Sequence, residues 1–187
     1  MRTIFITASI VIGIIPQLMV MWGLYKKTMK LSFSTYFIWF LLNLIICIAS
    51  IIEHGNYFLS LTYVSLNLIV ASMILFYEKK VSFPAWEKFV ILLCFVCMVI
   101  WYLTGGVYAI IAGATASFIA GIPQFVVVYR NPHLTSALVW LLGTLAPLFS
   151  VFAGREWSIV ERFYPMTFFL YGALGLFILF LGRKRNV

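Results

Sequence analysis

Residues 4–24 read IFITASIVIGIIPQLMVMWGL, without one charged side chain. As a helix rising about 1.5 Å per residue, that run reaches across a hydrocarbon core of roughly 30 Å. It is too long for the apolar part of a signal peptide, only Arg2 precedes it, and no small-x-small cleavage site follows. It reads as a first transmembrane helix. Working outward, six further uncharged apolar segments cover residues 33–52, 57–77, 89–104, 107–129, 134–153 and 163–181. The fourth is short, and Ala85 and Trp86 extend its start. Period-two alternation is missing and the runs are about twice the length of a membrane strand, so helices are expected throughout.

Composition agrees. Of 187 residues 64% are apolar and 10% charged, against about 25% charged in a soluble domain. The five acids are all Glu (Glu53, Glu78, Glu87, Glu156, Glu161). The 18 Phe, 10 Tyr and 6 Trp exceed what one soluble core of this size buries. Lys26, Lys27, Lys30, Lys79, Lys80, Lys88, Arg130, Arg183, Lys184 and Arg185 fall on one side of the alternating spans, and Arg2, Arg155 and Arg162 on the other. Cations collect on the cytosolic side, so the N-terminus is expected outside and the C-terminus in the cytosol. The net charge of +8 then expresses topology and contact with anionic headgroups. It does not point to nucleic acid, since no basic run sits with aromatics on a soluble surface. Cys47, Cys94 and Cys97 lie inside spans; the Cys94/Cys97 pair lacks His or acid neighbours and is expected to pack, with no metal or other cofactor.

Within the first run stands Gly13-Ile14-Ile15-Pro16-Gln17, and the fifth contains Gly121-Ile122-Pro123-Gln124. Ser34-Thr35-Tyr36-Phe37-Ile38-Trp39 likewise lines up with Thr135-Ser136-Ala137-Leu138-Val139-Trp140. The same offset sets Asn43 opposite Thr144. Aligning the basic ends Lys79-Lys80 and Arg183-Lys184 sets Asn67 opposite Tyr171, and Tyr63 opposite Thr167. Two copies of a three-helix unit (residues 1–80 and 106–187) are therefore expected, joined by a linker helix (81–105). Three helices cross an odd number of times, so the extra crossing keeps the copies parallel.

A helical proline removes one N–H and collides with the carbonyl four residues back, here Ile12 and Ile119. A single Pro gives a static kink; Pro16-Gln17 and Pro123-Gln124 at equivalent places read as paired hinges. Trp39 and Asn43, Trp140 and Thr144, Tyr63 and Asn67, and Thr167 and Tyr171 each stand four apart on one helix face. Trp anchoring at the interface and interhelical hydrogen bonding would account for such pairs; a central pocket is the sharper reading, above all for Asn67 at mid-span. Gly113, Ser117 and Gly121 form a small-xxx-small stripe for close helix packing. His54 and His133 stand at loop edges, where a solvated side chain or a pH sensor both fit. Glu53 and Glu161 close the outer ends of the second and seventh spans, as plain loop charges or as an acidic lip attracting cations.

With two Pro-Gln pairs in a 3+1+3 layout, the chain resembles the PQ-loop family over essentially its whole length. That family includes SWEET and SemiSWEET sugar transporters, cystinosin, lysosomal cationic amino-acid transporters and the KDEL receptor. The resemblance implies that Pro16, Gln17, Pro123 and Gln124 are alternating-access hinges. The stretch from Asn67 to Tyr77 resembles the third helix of SemiSWEETs, whose Asn lines the substrate pocket. Tyr171 stands where SWEETs place a matching Asn, and the chain has no Asp of the kind cystinosin-like proteins use for proton coupling. Complete Pro-Gln pairs in both copies look more like the amino-acid branch.

The expectation is a transporter of a small polar solute. An amino acid, cationic or neutral, comes before a sugar, and Asn67, Tyr171, Trp39, Trp140, Asn43, Thr144, Tyr63 and Thr167 are the pocket candidates. Expected partners are the solute, the bilayer and further copies of the chain in a homo-oligomer. A plasma, inner or lysosome-like membrane would suit it. The other class to weigh is a receptor or sensor that binds without moving its ligand, since fold does not fix function. No enzyme is expected: Gly-x-Gly-Asp, Gly-x-Ser-x-Gly and His-Glu-x-x-His are absent, and no carboxylate lies at membrane depth.

Overall fold

In lipid the backbone must satisfy its own hydrogen bonds, and the apolar runs answer with helices. The computed structural model describes residues 1–28, 33–78, 85–132 and 136–185, and no strand occurs among them. Lys30, Lys79, Lys80, His133, Leu134 and Thr135, which carry parts of the topology, pH-sensing and repeat expectations, lie outside the described residues. The helices are α1 (Arg2–Tyr25), α2 (Phe33–Ile52), α3 (Phe58–Glu78), α4 (Ala85–Thr104), α5 (Gly106–Ala120), α6 (Ile122–Arg130), α7 (Ala137–Phe152) and α8 (Ile159–Arg185). Five stretches are long and apolar enough to cross a membrane: α1, α2, α3, α5 with α6, and α8. The apolar part of α4 (Lys88–Thr104) and all of α7 are shorter; α7, with 16 residues, spans about 24 Å. This is a helical integral membrane protein.

Three segments depart most from the expected bounds. The last helix starts earlier and runs later than residues 163–181, from Ile159 to Arg185. The sixth, expected over 134–153, is described as a helix only from Ala137 to Phe152. The fifth is two helices meeting at Gly121. There the Gly121 N–H donates to the Ser117 and Phe118 carbonyls, and the Gln124 N–H restarts the ladder on the Gly121 carbonyl at 3.0 Å. Pro123, in the first turn of α6, has no N–H to continue α5. Helix α1, by contrast, runs unbroken through Pro16.

Helix α3 packs between α1 and α2, while α8 packs against α7 on one side and α5 and α6 on the other. Helix α1 also lies along α7, α2 lies along α5, and α4 rests on α5 and α2. Lipid gives helices little hydrophobic reason to associate, so close fit matters. A methyl group on Gly113 would meet Ile46 of α2 at 2.7 Å, and one on Gly175 would meet the Trp140 ring at 1.9 Å. The small-residue stripe of α5 therefore receives α2 at Gly113 and α8 at Gly121, where a methyl group would meet the Tyr171 ring at 2.4 Å. Cys94 and Cys97 are free thiols, buried with Ile38, Leu42, Val90 and Ala116.

The helix ends alternate between two faces of the bundle. Arg2 Nε donates to the Ala153 carbonyl at 3.0 Å, and Asn56 Nδ2 donates to the Ser150 carbonyl at 3.0 Å. The Gly106 N–H reaches Glu53 Oε1 at 3.1 Å. These bonds gather the start of α1, the α2–α3 and α4–α5 junctions and the end of α7 at one end. At the opposite end Gly182 of α8 lies against Tyr129 and Pro132, just beyond α6. That end carries Lys26, Lys27, Lys88, Arg130, Arg183, Lys184 and Arg185.

Candidate functional site

Where α2 and α8 approach each other, Tyr171 stands inside a cage of rings. Its centroid lies 6.4 Å from Trp39, 5.7 Å from Trp140, 5.6 Å from Phe118 and 4.6 Å from Phe125, which stacks on it. Phe168, one turn earlier on α8, is 6.3 Å away. The Tyr171 hydroxyl donates to the Gly121 carbonyl at 3.1 Å, so the ring is tied to the break between α5 and α6. Trp39, Trp140 and Tyr171, three of the pocket candidates, thus come together.

Beside this cage, polar atoms of α1, α2 and α3 are buried without a partner: Gln17 Oε1, Trp39 Nε1 and Asn67 Oδ1. Asn67 is 3% exposed. Trp39 packs on the cluster formed by Val20, Leu24, Tyr36, Val70, Ala71 and Ile74. Gln17 precedes Val20 by one turn and Asn67 precedes Val70 and Ala71 by one turn, so all three polar groups border one level of the bundle. Ser9 Oγ, two turns before Gln17 on the same face of α1, is also unpartnered. A buried polar atom left unpaired costs about 1–3 kcal/mol. Several of them at one level call for a polar occupant.

The remaining candidates are committed within the protein. Asn43 Nδ2 donates to the Trp39 carbonyl at 2.7 Å, and its Oδ1 accepts the Tyr164 hydroxyl. Thr144 and Thr167 each bond back to their own helix at 2.8 Å, on Trp140 and Phe163 respectively. Tyr63 is buried against Phe168, 5.7 Å between centroids. The two Pro-Gln pairs sit differently: Pro16 is buried, whereas Pro123 is exposed and Gln124 half-buried.

Glu53 and Glu161, the lip candidates, both accept backbone hydrogen bonds. Glu53 holds the Gly106 N–H at the start of α5, and buried Glu161 takes the Arg155 N–H at 3.3 Å. Nearby, Arg162 donates to the carbonyls of Val151, Gly154 and Glu156. With Arg2 on Ala153 it satisfies the open carbonyls at the end of α7, where a cation also complements the helix dipole. His54 is exposed and adopts positive φ, 55°.

Sequence reasoning missed Tyr164, Phe118, Phe125 and Phe168. A signal was present for two of them: Tyr164, Phe168, Tyr171 and Gly175 recur at helical spacing and form one face of α8. Pro147 of α7 and Pro165 of α8 were passed over as well; both are buried inside helices. No group of three or more His, Cys, Asp or Glu gathers among the described residues to hold a metal. Two surface grooves lie off the centre, one on α3 along Leu68, Ile69, Ser72, Met73, Phe76 and Tyr77, the other between α6 and α8. No family model, curated protein or solved structure matches the chain.

Proposed function

We propose that this protein is a transporter of PQ-loop type that moves a small polar solute through its centre by alternating access. The observation that carries the proposal is the set of unpartnered polar atoms, Gln17 Oε1, Trp39 Nε1 and Asn67 Oδ1, bordering an aromatic cage around Tyr171. A solute offering donors to the two amide oxygens and an acceptor to the indole N–H would satisfy all three. An amino acid has both in its ammonium and carboxylate groups. The indole ring of Trp39 adds cation–π attraction for a cationic one.

Helix packing supports the two-copy layout. Exchanging the first unit for the second turns the α1–α7 contact into the contact of α5 with α2, and both contacts occur. In each unit the third helix lies between the other two. An approximate two-fold axis along the membrane normal generates this pattern. The clustering of cations at one end supports a cytosolic C-terminus and an outward N-terminus. Motion would then come from the break at Gly121 and from Pro16, opening one end while the other closes.

Uptake into proteoliposomes is the test. The panel holds labelled arginine, lysine, a neutral amino acid, glucose and sucrose, each with and without a pH gradient. Saturable flux of one class is expected, with amino acids ahead of sugars. Tight binding with no flux of any panel member would replace transport with a receptor role.

A further inference from the structure

The groove between α6 and α8 is lined by Phe125, Val126, Tyr129, Arg130, Ile178 and Arg185. Its composition is graded along the helix axes. On α6, Phe125 and Val126 come first, and Tyr129 and Arg130 follow one turn, about 6 Å, nearer the end. On α8, Ile178 precedes Arg185 by two turns, about 10 Å, toward the same end. Apolar walls thus lie at membrane depth and two guanidinium groups stand at the rim. Arg185 lies over the Tyr129 ring, 5.6 Å from its centroid, which holds it beside the opening.

Among the described residues, no acidic side chain lines this groove. Glu53, Glu156 and Glu161 belong to the opposite end of the bundle, as the bonds of Glu53 and Glu161 there show. Glu78 and Glu87 belong to α3 and α4, neither of which lines the groove. Arg183 and Lys184 add to the same end. Guanidinium groups match phosphate oxygens in planar, paired geometry. Basic pockets between membrane helices on the cytosolic side take anionic headgroups.

We propose that this groove is a binding site for an anionic phospholipid. Its phosphate sits between Arg130 and Arg185, and one acyl chain lies along Phe125, Val126 and Ile178. The occupant bridges α6 and α8. Because Phe125 stacks on Tyr171 and α6 is a separate piece beyond Gly121, the lipid braces the short helix against the ring cage. The inference rests on the membrane-spanning fold and not on transport.

The test uses the full chain in nanodiscs of mixed phosphatidylglycerol and phosphatidylcholine, with bound lipid counted by native mass spectrometry. The wild type is expected to retain phosphatidylglycerol selectively. An Arg130→Gln/Arg185→Gln variant should lose about thirtyfold of that preference, from roughly 1 kcal/mol per arginine. A Lys26→Gln/Lys27→Gln variant, with equal charge removed from the same end, should keep it. Val126→Trp, which fills the groove without touching charge, should also release the lipid. Equal retention in the arginine variant, or equal loss in the lysine variant, overturns a specific site in favour of general charge attraction. Displacement of the lipid by soluble glycerol phosphate at comparable concentration overturns the acyl-chain contact. A failure here leaves the flux result untouched, and the reverse also holds.

Discussion

The helices α1–α3 and the helices α5–α8 solve the same packing problem with different residues. In the first set, the polar groups at the level of Trp39 stay unpaired: Gln17 Oε1, Trp39 Nε1 and Asn67 Oδ1. In the second, the position matching Asn67 is Tyr171, whose hydroxyl is spent on the Gly121 carbonyl and whose ring is surrounded by others. Glycine marks the same contrast. A methyl group on Gly13 would make ordinary contacts with Ala146 and Tyr63, at 3.5 and 3.6 Å. On Gly172 it would meet Thr144 Oγ1 at 2.6 Å, and on Gly175 the Trp140 ring at 1.9 Å. Prolines are divided too: α1 has Pro16, whereas the second set has Pro123, Pro147 and Pro165. One set offers hydrogen bonds and the other a tightly packed aromatic wall.

The glycine contrast is the most easily broken. Gly175→Ala should destabilise the protein by about 1–3 kcal/mol through overpacking against Trp140, read as a lowered Tm in detergent or nanodiscs. Gly13→Ala should leave Tm unchanged or raise it, since Ala gains up to about 1 kcal/mol over Gly in a helix. If the two substitutions cost the same, the difference in packing is not real. Next comes Tyr164→Phe, which strips Asn43 of the Tyr164 hydroxyl. Membrane hydrogen bonds average about 0.6 kcal/mol, so a modest fall in Tm is expected, and its absence would deny that contact a stabilising role. Smallest is Tyr171→Phe, which keeps the ring and removes one hydrogen bond to Gly121. It should cost about 0.6 kcal/mol at most and leave most uptake intact. Uptake falling as far as in an Asn67 variant would place the solute on the tyrosine hydroxyl instead.

Much of this was legible because lipid imposes long uncharged runs. The whole of α2 follows from charge-free length, and Ala85 joins α4 because the charge-free run 89–104 is too short to span by itself. The meeting of Trp39, Trp140 and Tyr171 could be anticipated from the repeat and the four-residue spacing. The division at Gly121 was not, because Pro123 and Pro16 look alike in sequence. What separates them is three-dimensional: Tyr171 closes on Gly121, while Pro16 is buried within a continuous helix. Nor could hydropathy give Arg162 its place on the carbonyls ending α7, or pair Asn43 with Tyr164 across the bundle. Those bonds depend on which helices become neighbours, and hydropathy does not encode that.

The claim that the unpaired polar atoms serve a solute is tested most directly by Asn67→Leu, measured for Tm and proteoliposome uptake on the same preparation. Asn67 Oδ1 has no partner in the protein, so removing it should leave Tm unchanged or raise it. Uptake of whichever solute the panel shows to be carried should fall at least about tenfold, the equivalent of about 1.4 kcal/mol. Unchanged uptake at unchanged Tm would contradict the account, because Asn67 would then contribute to neither folding nor passage.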